Sequence, residues 1–128
     1  MLAVDTNVFV RLFVQDDEIQ SHKAKKFIEN HDAVFISTIV LCEAIWLLKA
    51  HFKYNKSQLI ALIEKILKTK QFRFEHCDAI WYAFSEFQHI NADLTDCIIG
   101  SVAKLYQCDS VVTFDKNAAK SKNFKLIK

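Results

Sequence analysis

The stretch VFISTIVLCEAIWLLKAHF, residues 34–52, decides the predicted fold. Its first three residues form a short apolar run that is typical of a buried strand. Ser37 or Thr38 then opens a helix that continues to about Phe52. A strand that passes directly into a helix is the repeating unit of parallel sheets covered by helices, so this stretch predicts an α/β protein.

The same alternation of apolar runs and helical patterns extends from this stretch to both ends of the chain. The sequence contains one glycine, Gly100, and no proline, so tight turns are few and helices cover most of the chain. We therefore predict one α/β domain, residues 1–128, with a central, mainly parallel sheet of about five short strands flanked by helices. The predicted strands lie at residues 2–4, 34–36, 72–74, 111–113 and 125–127, and the predicted helices at residues 7–14, 16–30, 38–52, 57–68, 78–89, 94–106 and 116–120.

Composition and charge describe a globular protein and exclude several other classes. The chain has 128 residues, of which 52% are hydrophobic and 25% charged, enough to enclose one core. A net charge of +2 does not by itself indicate nucleic-acid binding. The longest apolar stretch, residues 33–50, carries Glu43 near its middle, which argues against a membrane span. The N-terminus lacks a signal-peptide pattern, and the four cysteines lack C-x-x-C spacing, so we expect buried thiols in a reducing cytoplasm rather than a zinc site.

Two acidic residues follow predicted strands directly. Asp5 ends the first strand, and Asp115 comes just after the strand at residues 111–113. The carboxyl ends of parallel strands are where open α/β sheets bind their ligands. Each acid also precedes a predicted helix, so an N-cap role explains its position, and for Asp5 taken alone that role is favoured.

Glu43 is an acid on an otherwise apolar helical face. A carboxylate buried in such a face needs a compensating partner, because an unpaired buried charge is costly or becomes protonated. A lysine or arginine would satisfy this need, and a metal ion would satisfy it equally well. The neighbours of Glu43 at three and four positions along the helix are Ile39, Val40, Trp46 and Leu47.

Asp96 lies in the first turn of its predicted helix, where the helix dipole favours an acid. Gly100 and Ala103 follow on the same side of that helix. A glycine inside a helix costs roughly 1 kcal/mol relative to alanine, so we expect another part of the chain to approach this face closely. Asp93 is expected to be the N-cap of the helix and is left out of the main acidic set.

The joint placement of these acids, on separate segments that lead to one end of one sheet, favours a metal site. Clustered carboxylates repel one another unless a divalent cation lies among them, and hard oxygen ligands prefer Mg²⁺ or Mn²⁺. Such an ion lowers the pKa of a bound water and stabilises charge on a phosphodiester. The sequence offers no recognisable nucleophile–base pair and no Gly-rich phosphate loop, so water would be the nucleophile of an enzyme built on these acids.

Four blocks of the sequence carry a family resemblance that covers essentially the whole chain. They are VDTNV at residues 4–8, STIVLCE at 37–43, DLTDCIIG at 93–100 and VVTFDK at 111–116. Each block alone is weak evidence, but their order and spacing together resemble PIN domains. The nearest likeness is to VapC-type toxins of bacterial and archaeal toxin–antitoxin pairs.

This resemblance implies a Mg²⁺-dependent endoribonuclease that cuts RNA, often tRNA, and that forms a homodimer neutralised by a VapB-type antitoxin. By matching position, Asp5, Glu43, Asp96 and Asp115 would be the catalytic, metal-binding acids, although the fourth acid is less uniform in the family. Thr6, Asn7 and Thr113 would orient ligands or substrate. Candidates to neutralise RNA phosphates, chosen for their closeness in sequence to the acids, are Arg11, Lys49, Lys53, Lys116 and Lys120.

Three other classes were weighed against this interpretation. A response-regulator receiver requires an acidic pair after the first strand and a lysine that ends a late strand, whereas Asp5 is followed by Thr6 and Lys116 is poorly placed. A haloacid-dehalogenase-type phosphatase requires Asp-x-Asp where this chain has Asp5-Thr6-Asn7. A non-catalytic protein-binding module, in which the acids bind a cation only for stability, stays open as the alternative.

Overall fold

The computed structural model describes residues 1–128, and they form two compact units, Met1–Glu75 and His76–Lys128. The first unit contains a parallel sheet in the order β1-β2-β3, in which Leu2 pairs with Val34 and Val34 pairs with Phe72. Its elements are β1 (Leu2–Ala3), α1 (Thr6–Arg11), α2 (Glu18–Ile28), β2 (Val34–Ile36), α3 (Thr38–Ala50), α4 (Lys56–Leu67) and β3 (Phe72–Phe74).

All helices of the first unit begin at a polar residue whose side chain accepts a backbone hydrogen bond from the third helical position. This arrangement satisfies one of the N–H groups that a helix leaves without a partner at its start. Helix α4 begins one residue before the predicted start at residue 57, because its cap is Asn55, and Gln58 completes a capping box with Asn55. The capping residues of the four helices are Asp5, Asp17, Ser37 and Asn55.

Aromatic and branched side chains form the interior of the first unit. Phe9, which is fully buried, contacts Phe13 and Phe72 edge to face, with ring centroids 5.3 and 5.7 Å apart. Helix α3 contributes Leu41 and Ile45 to the buried set, which fixes the side of this helix that faces inward. The opposite side of α3 is therefore left on the surface.

The second unit contains two α-helices and a two-stranded parallel sheet in which Val111 pairs with Phe124. Ser101, which is buried in the second of these helices, donates a 2.7 Å hydrogen bond to the carbonyl oxygen of Ala79 in the first. The elements of this unit are α5 (Cys77–Phe87), α6 (Leu94–Leu105), β4 (Val111–Thr113), a short 3₁₀ helix (Ala118–Lys120) and β5 (Phe124–Leu126).

Gly100 explains how β5 reaches α6. A Cβ atom added at this position would lie 2.9 Å from the Cβ atom of Asn123 and 2.9 Å from the Cε1 atom of Phe124. Real Cβ atoms do not approach other atoms so closely, so only glycine permits this contact. The expected close approach to the Gly100 face is thereby confirmed, and its partner is the start of β5.

The predicted α/β class with five short parallel strands is confirmed, with differences in detail. Hydrogen bonding divides the strands into a three-stranded and a two-stranded sheet. The helix predicted at residues 7–14 ends at Arg11, and the one predicted at 116–120 is a 3₁₀ helix over Ala118–Lys120. No cysteine forms a disulfide, but Cys77 and Cys108 are exposed, so the expected burial of all thiols was wrong. None of the helices has the length and apolar character needed to cross a membrane.

Candidate functional site

Asp5 leaves the sheet at the carboxyl end of β1 and begins α1. Its Oδ1 atom accepts a 3.0 Å hydrogen bond from the backbone nitrogen of Val8, so the N-cap role considered from the sequence is confirmed. The side chain is exposed. An ionised carboxylate has about four acceptor positions on its two oxygens, so capping uses only part of its capacity and is compatible with binding a cation.

Glu43 lies near the middle of α3 and is tied to the start of α1. The Oγ1 atom of Thr6 donates a 2.8 Å hydrogen bond to the Oε1 atom of Glu43. Because Thr6 directly follows Asp5 in the chain, this bond brings the two predicted metal-binding acids of the first unit into one neighbourhood. Thr6 therefore has a position that suits its predicted role of orienting a carboxylate.

The expectation that Glu43 is buried in an apolar face was wrong. Glu43 is exposed, and the adjacent Ile39 and Trp46 are 71% and 65% exposed. The reason is that the inward side of α3 carries Leu41 and Ile45, so the side with Glu43 points outward. An exposed carboxylate needs no buried counter-charge. The helical neighbours of Glu43 alone did not show that it is exposed.

A cavity of about 490 Å³ lies beside Asp5 in the first unit, between β1, α1 and α2. Asn7 and Arg11 line it together with Asp5, and most of the remaining lining is apolar. The guanidinium group of Arg11 forms an ion pair with Asp16 and donates a 2.8 Å hydrogen bond to the Oε1 atom of Gln20. Arg11 thus holds α1 to the segment that leads into α2, and its predicted contact with RNA stays a prediction.

Another acid of the first unit, Glu75, follows a strand, although it is not among the predicted site residues. Glu75 comes directly after β3, and its backbone nitrogen donates to the carbonyl oxygen of Ile36 at 3.0 Å. Its Oε1 atom accepts a 2.8 Å hydrogen bond from the backbone nitrogen of Thr38, the first residue of α3. The signal that drew attention to Asp5, an acid at the carboxyl end of a strand, would have found Glu75 as well.

In the second unit, Asp96 lies in the first turn of α6 and is half-buried. Asp93 occupies the N-cap position of that helix, with extended backbone angles, but its side chain makes no capping hydrogen bond. The prediction that Asp93 is the N-cap residue of this helix is therefore confirmed, although the side chain does not make the capping hydrogen bond. Asp93 makes other interactions in the structure.

Asp115 follows β4 and organises the turn into the 3₁₀ helix. Its Oδ1 atom accepts hydrogen bonds from the backbone nitrogens of Asn117 at 2.8 Å and Ala118 at 3.3 Å. The backbone nitrogen of Asp115 donates to the Oγ1 atom of Thr113 at 3.0 Å. Thr113 therefore helps to fix the backbone at Asp115, which suits its predicted role, and the N-cap explanation of Asp115 is confirmed.

The four lysine candidates are all exposed. Lys49 lies in the last turn of α3, where the helix dipole favours a cation. Lys53 is exposed and has a left-handed backbone with φ of 59°. Lys116 and Lys120 are exposed around the 3₁₀ helix of the second unit. These positions are accessible to a polyanion, and they are equally typical of solvated lysines.

The donor chemistry of the predicted acidic set fits a hard divalent cation. Asp5 and Glu43 come from the first unit, and Asp96 and Asp115 from the second. The structure shows no group of three or more His, Cys, Asp or Glu side chains placed to hold a metal ion, so it does not gather the four predicted acids into one cluster. A set made only of carboxylate oxygens matches Mg²⁺ or Mn²⁺ and does not match zinc, which favours nitrogen and sulfur ligands.

The fold is α/β, and Asp5, Glu75 and Asp115 each follow a parallel strand. The family model for the PIN domain matches residues 2–123 of this chain. The chain therefore belongs to the PIN domain family, a family of metal-dependent nucleases. No curated protein matches it.

Proposed function

We propose that this protein is a Mg²⁺-dependent endoribonuclease and the toxin of a VapC-type toxin–antitoxin pair. The observation that carries the proposal is the hydrogen bond from Thr6 to Glu43. It ties the helix that Asp5 caps to the helix that bears Glu43, so two hard carboxylates share one surface beside the edge of a parallel sheet. Membership of the PIN domain family supports the nuclease chemistry.

The four predicted acids would act together in the proposed reaction. Asp5, Glu43, Asp96 and Asp115 would hold Mg²⁺, or Mn²⁺ in its place. When bound, the ion would lower the pKa of a water molecule and stabilise negative charge on the scissile phosphate.

The polar neighbours of these acids would keep them in position. Thr6 holds the Glu43 carboxylate through its hydroxyl group, and Thr113 fixes the backbone at Asp115. Asn7, which lines the same cavity as Asp5, would contact the substrate. Because Asp5 caps α1 and Glu43 accepts a hydrogen bond from Thr6, these two carboxylates are held in place before any ligand binds.

The substrate and partners of the proposal follow from the same assignment. RNA, with tRNA as the first candidate, would be bound partly through Lys49, Lys53, Lys116 and Lys120, with Arg11 as the fifth cation. A VapB-type antitoxin would neutralise the enzyme, which would act in the cytoplasm as a homodimer of one domain per chain.

The experiment that tests this function compares Asp5→Asn with Asp17→Asn. Both aspartates cap a helix through Oδ1 with a 3.0 Å hydrogen bond, and asparagine caps equally well. Only Asp5 belongs to the acidic set. We expect purified Asp17→Asn protein to cut total RNA and tRNA at the wild-type rate, and Asp5→Asn protein to be inactive while melting normally.

Two outcomes would overturn the proposal. Wild-type cleavage by Asp5→Asn would remove that residue from the chemistry. Stabilisation of the folded wild-type protein by Mg²⁺, with no hydrolysis of any RNA, would favour the cation-stabilised binding module instead.

A further inference from the structure

Helix α3 exposes a tryptophan next to the proposed metal-binding acid. Trp46 is 65% exposed and follows Glu43 by three residues, so it lies on the same outward side of the helix and about 4.5 Å further along its axis. Burial of a tryptophan contributes more to folding than burial of almost any other side chain. The fold therefore leaves this indole available for a ligand.

The chain around Trp46 has the charge that a polyanion requires. Residues 44–56 contain no acidic residue. The cations in this segment are Lys49, Lys53 and Lys56. Lys53 is exposed and lies just beyond the end of α3, where its φ of 59° places a lysine in a conformation that glycine adopts more easily. Along α3 and the segment that follows it, the carboxylate of Glu43 is thus followed by the exposed ring of Trp46 and then by lysines.

We propose that Trp46 stacks on an unpaired base of the RNA, next to the phosphodiester that is cut at Glu43. This inference rests on the proposed function and deepens it, because it names a residue that holds the substrate in place. Every base presents a flat π face, so stacking on an indole tolerates any sequence but requires a base that is not already paired. Lys53 would neutralise a phosphate further along the same strand.

The chemistry of this surface favours RNA over a purely apolar protein contact. Ile39 and Trp46 are apolar, but Glu43 lies between them on the same side of α3. An apolar partner would strip water from the Glu43 carboxylate without replacing it, which is costly. When an RNA strand binds together with a cation, a base can stack on the indole while the cation binds the Glu43 carboxylate.

The first test measures the fluorescence of Trp46 directly. The chain has two tryptophans, and Trp81→Phe leaves Trp46 as the only one. The probe is a short single-stranded oligoribonucleotide in Ca²⁺, which supports binding at oxygen ligands, and the RNA is checked to be intact afterwards. We expect single-stranded RNA to quench Trp46 and the same strand in a duplex to leave its emission almost unchanged. Absence of quenching while labelled RNA is seen to bind would overturn the inference.

The second test measures the affinity for the same oligoribonucleotide. Trp46→Ala should weaken binding about 5- to 150-fold, the range expected for loss of one stacked base, whereas Trp46→Phe should retain most of the affinity. The matched control is Tyr82→Ala, which removes a 74% exposed aromatic ring from α5 in the other unit and should change nothing. Wild-type affinity in Trp46→Ala, or a changed oligomeric state with unchanged RNA binding, would overturn the inference and identify this face as a protein interface.

These results separate the inference from the proposed function. Quenching of Trp46 by RNA in a protein that never cuts RNA would support the stacking role and refute the nuclease. Metal-dependent cutting that Trp46→Ala performs with wild-type kcat/KM would support the nuclease and refute the stacking role. Because fluorescence uses the intact indole, a Trp46 variant that fails to fold does not remove the test.

Discussion

Replacement of Thr6 by valine removes the hydroxyl group that holds Glu43 and almost nothing else. Valine has nearly the same shape as threonine, so the start of α1 should keep its packing. The 2.8 Å hydrogen bond to Glu43 Oε1 is lost, and the exposed carboxylate gains water in its place. Since water replaces the lost partner, we expect the free energy of unfolding to fall by only about 0.5 kcal/mol.

The effect on metal-dependent activity should be much larger than the effect on stability. A carboxylate that has lost its orienting hydrogen bond samples other rotamers and must be ordered again whenever it binds a cation. Removal of such supporting partners typically reduces metal affinity or activity about 10- to 100-fold. We therefore expect the Mg²⁺ concentration that gives half-maximal cleavage to rise by about 10-fold or more in Thr6→Val.

The assay is cleavage of tRNA over a Mg²⁺ titration, with melting of each variant measured in parallel. Thr6→Ser keeps the donor and should behave like the wild type. Thr69→Val is the matched control, because Thr69 donates its own 2.8 Å hydrogen bond to the carbonyl of Lys65 on α4, away from the acids. A Thr6→Val protein with the wild-type Mg²⁺ dependence would refute the role assigned to this hydrogen bond.

Three further predictions concern residues outside the acidic set. Gly100→Ala should destabilise the protein by about 1–3 kcal/mol in chemical denaturation, despite its better helix propensity, because the new methyl group would lie 2.9 Å from atoms at the start of β5; unchanged stability would contradict that contact. Ser121→Ala should cost about 1.5–3 kcal/mol in the same assay, because Ser121 is 1% exposed and donates at 3.0 Å to the Glu86 carboxylate, while RNA cleavage should stay at the wild-type rate. Lys53→Gly and Gln107→Gly should each raise the melting temperature, because φ is 59° and 62° at these positions and glycine adopts a left-handed backbone without strain. Only Lys53→Gly should weaken RNA binding. Equal effects of the two variants on RNA binding would remove Lys53 from the substrate surface.

The sequence predicted local features well wherever a single physical cause decided them. The apolar runs at residues 34–36, 72–74 and 111–113 are strands with those bounds, because short branched and aromatic runs have few other stable arrangements. The lone glycine inside α6 correctly indicated a close approach. These inferences needed only propensity and the volume of one side chain.

The errors arose where the sequence pattern left more than one local arrangement open. Asn55 and Ser57 are both good helix caps, and the capping box with Gln58 selects the first. The helical neighbours of Glu43 are apolar, but a helix with apolar residues all round does not tell which side is buried, so the exposure of Glu43 and Trp46 was missed.

The sequence predicted which residues belong to the candidate site, but it did not predict how their side chains contact one another. Asp5 and Asp115 were named because they follow strands, and both also cap the turns that come after them. The hydrogen bond between Thr6 and Glu43 joins residues far apart in the chain, and no local pattern contains it. Glu75 directly follows β3, so the strand-end signal applies to it as well, but its contact with the start of α3 is not visible in the sequence.

The most direct test of the central claim is the metal dependence of RNA cleavage by the purified wild-type protein, free of any antitoxin. We expect cleavage in Mg²⁺ or Mn²⁺, none in EDTA, and recovery when Mg²⁺ is added back in excess over the chelator. Cleavage at an undiminished rate in EDTA would contradict the central claim, and so would intact RNA at every Mg²⁺ and Mn²⁺ concentration with a protein shown to be folded.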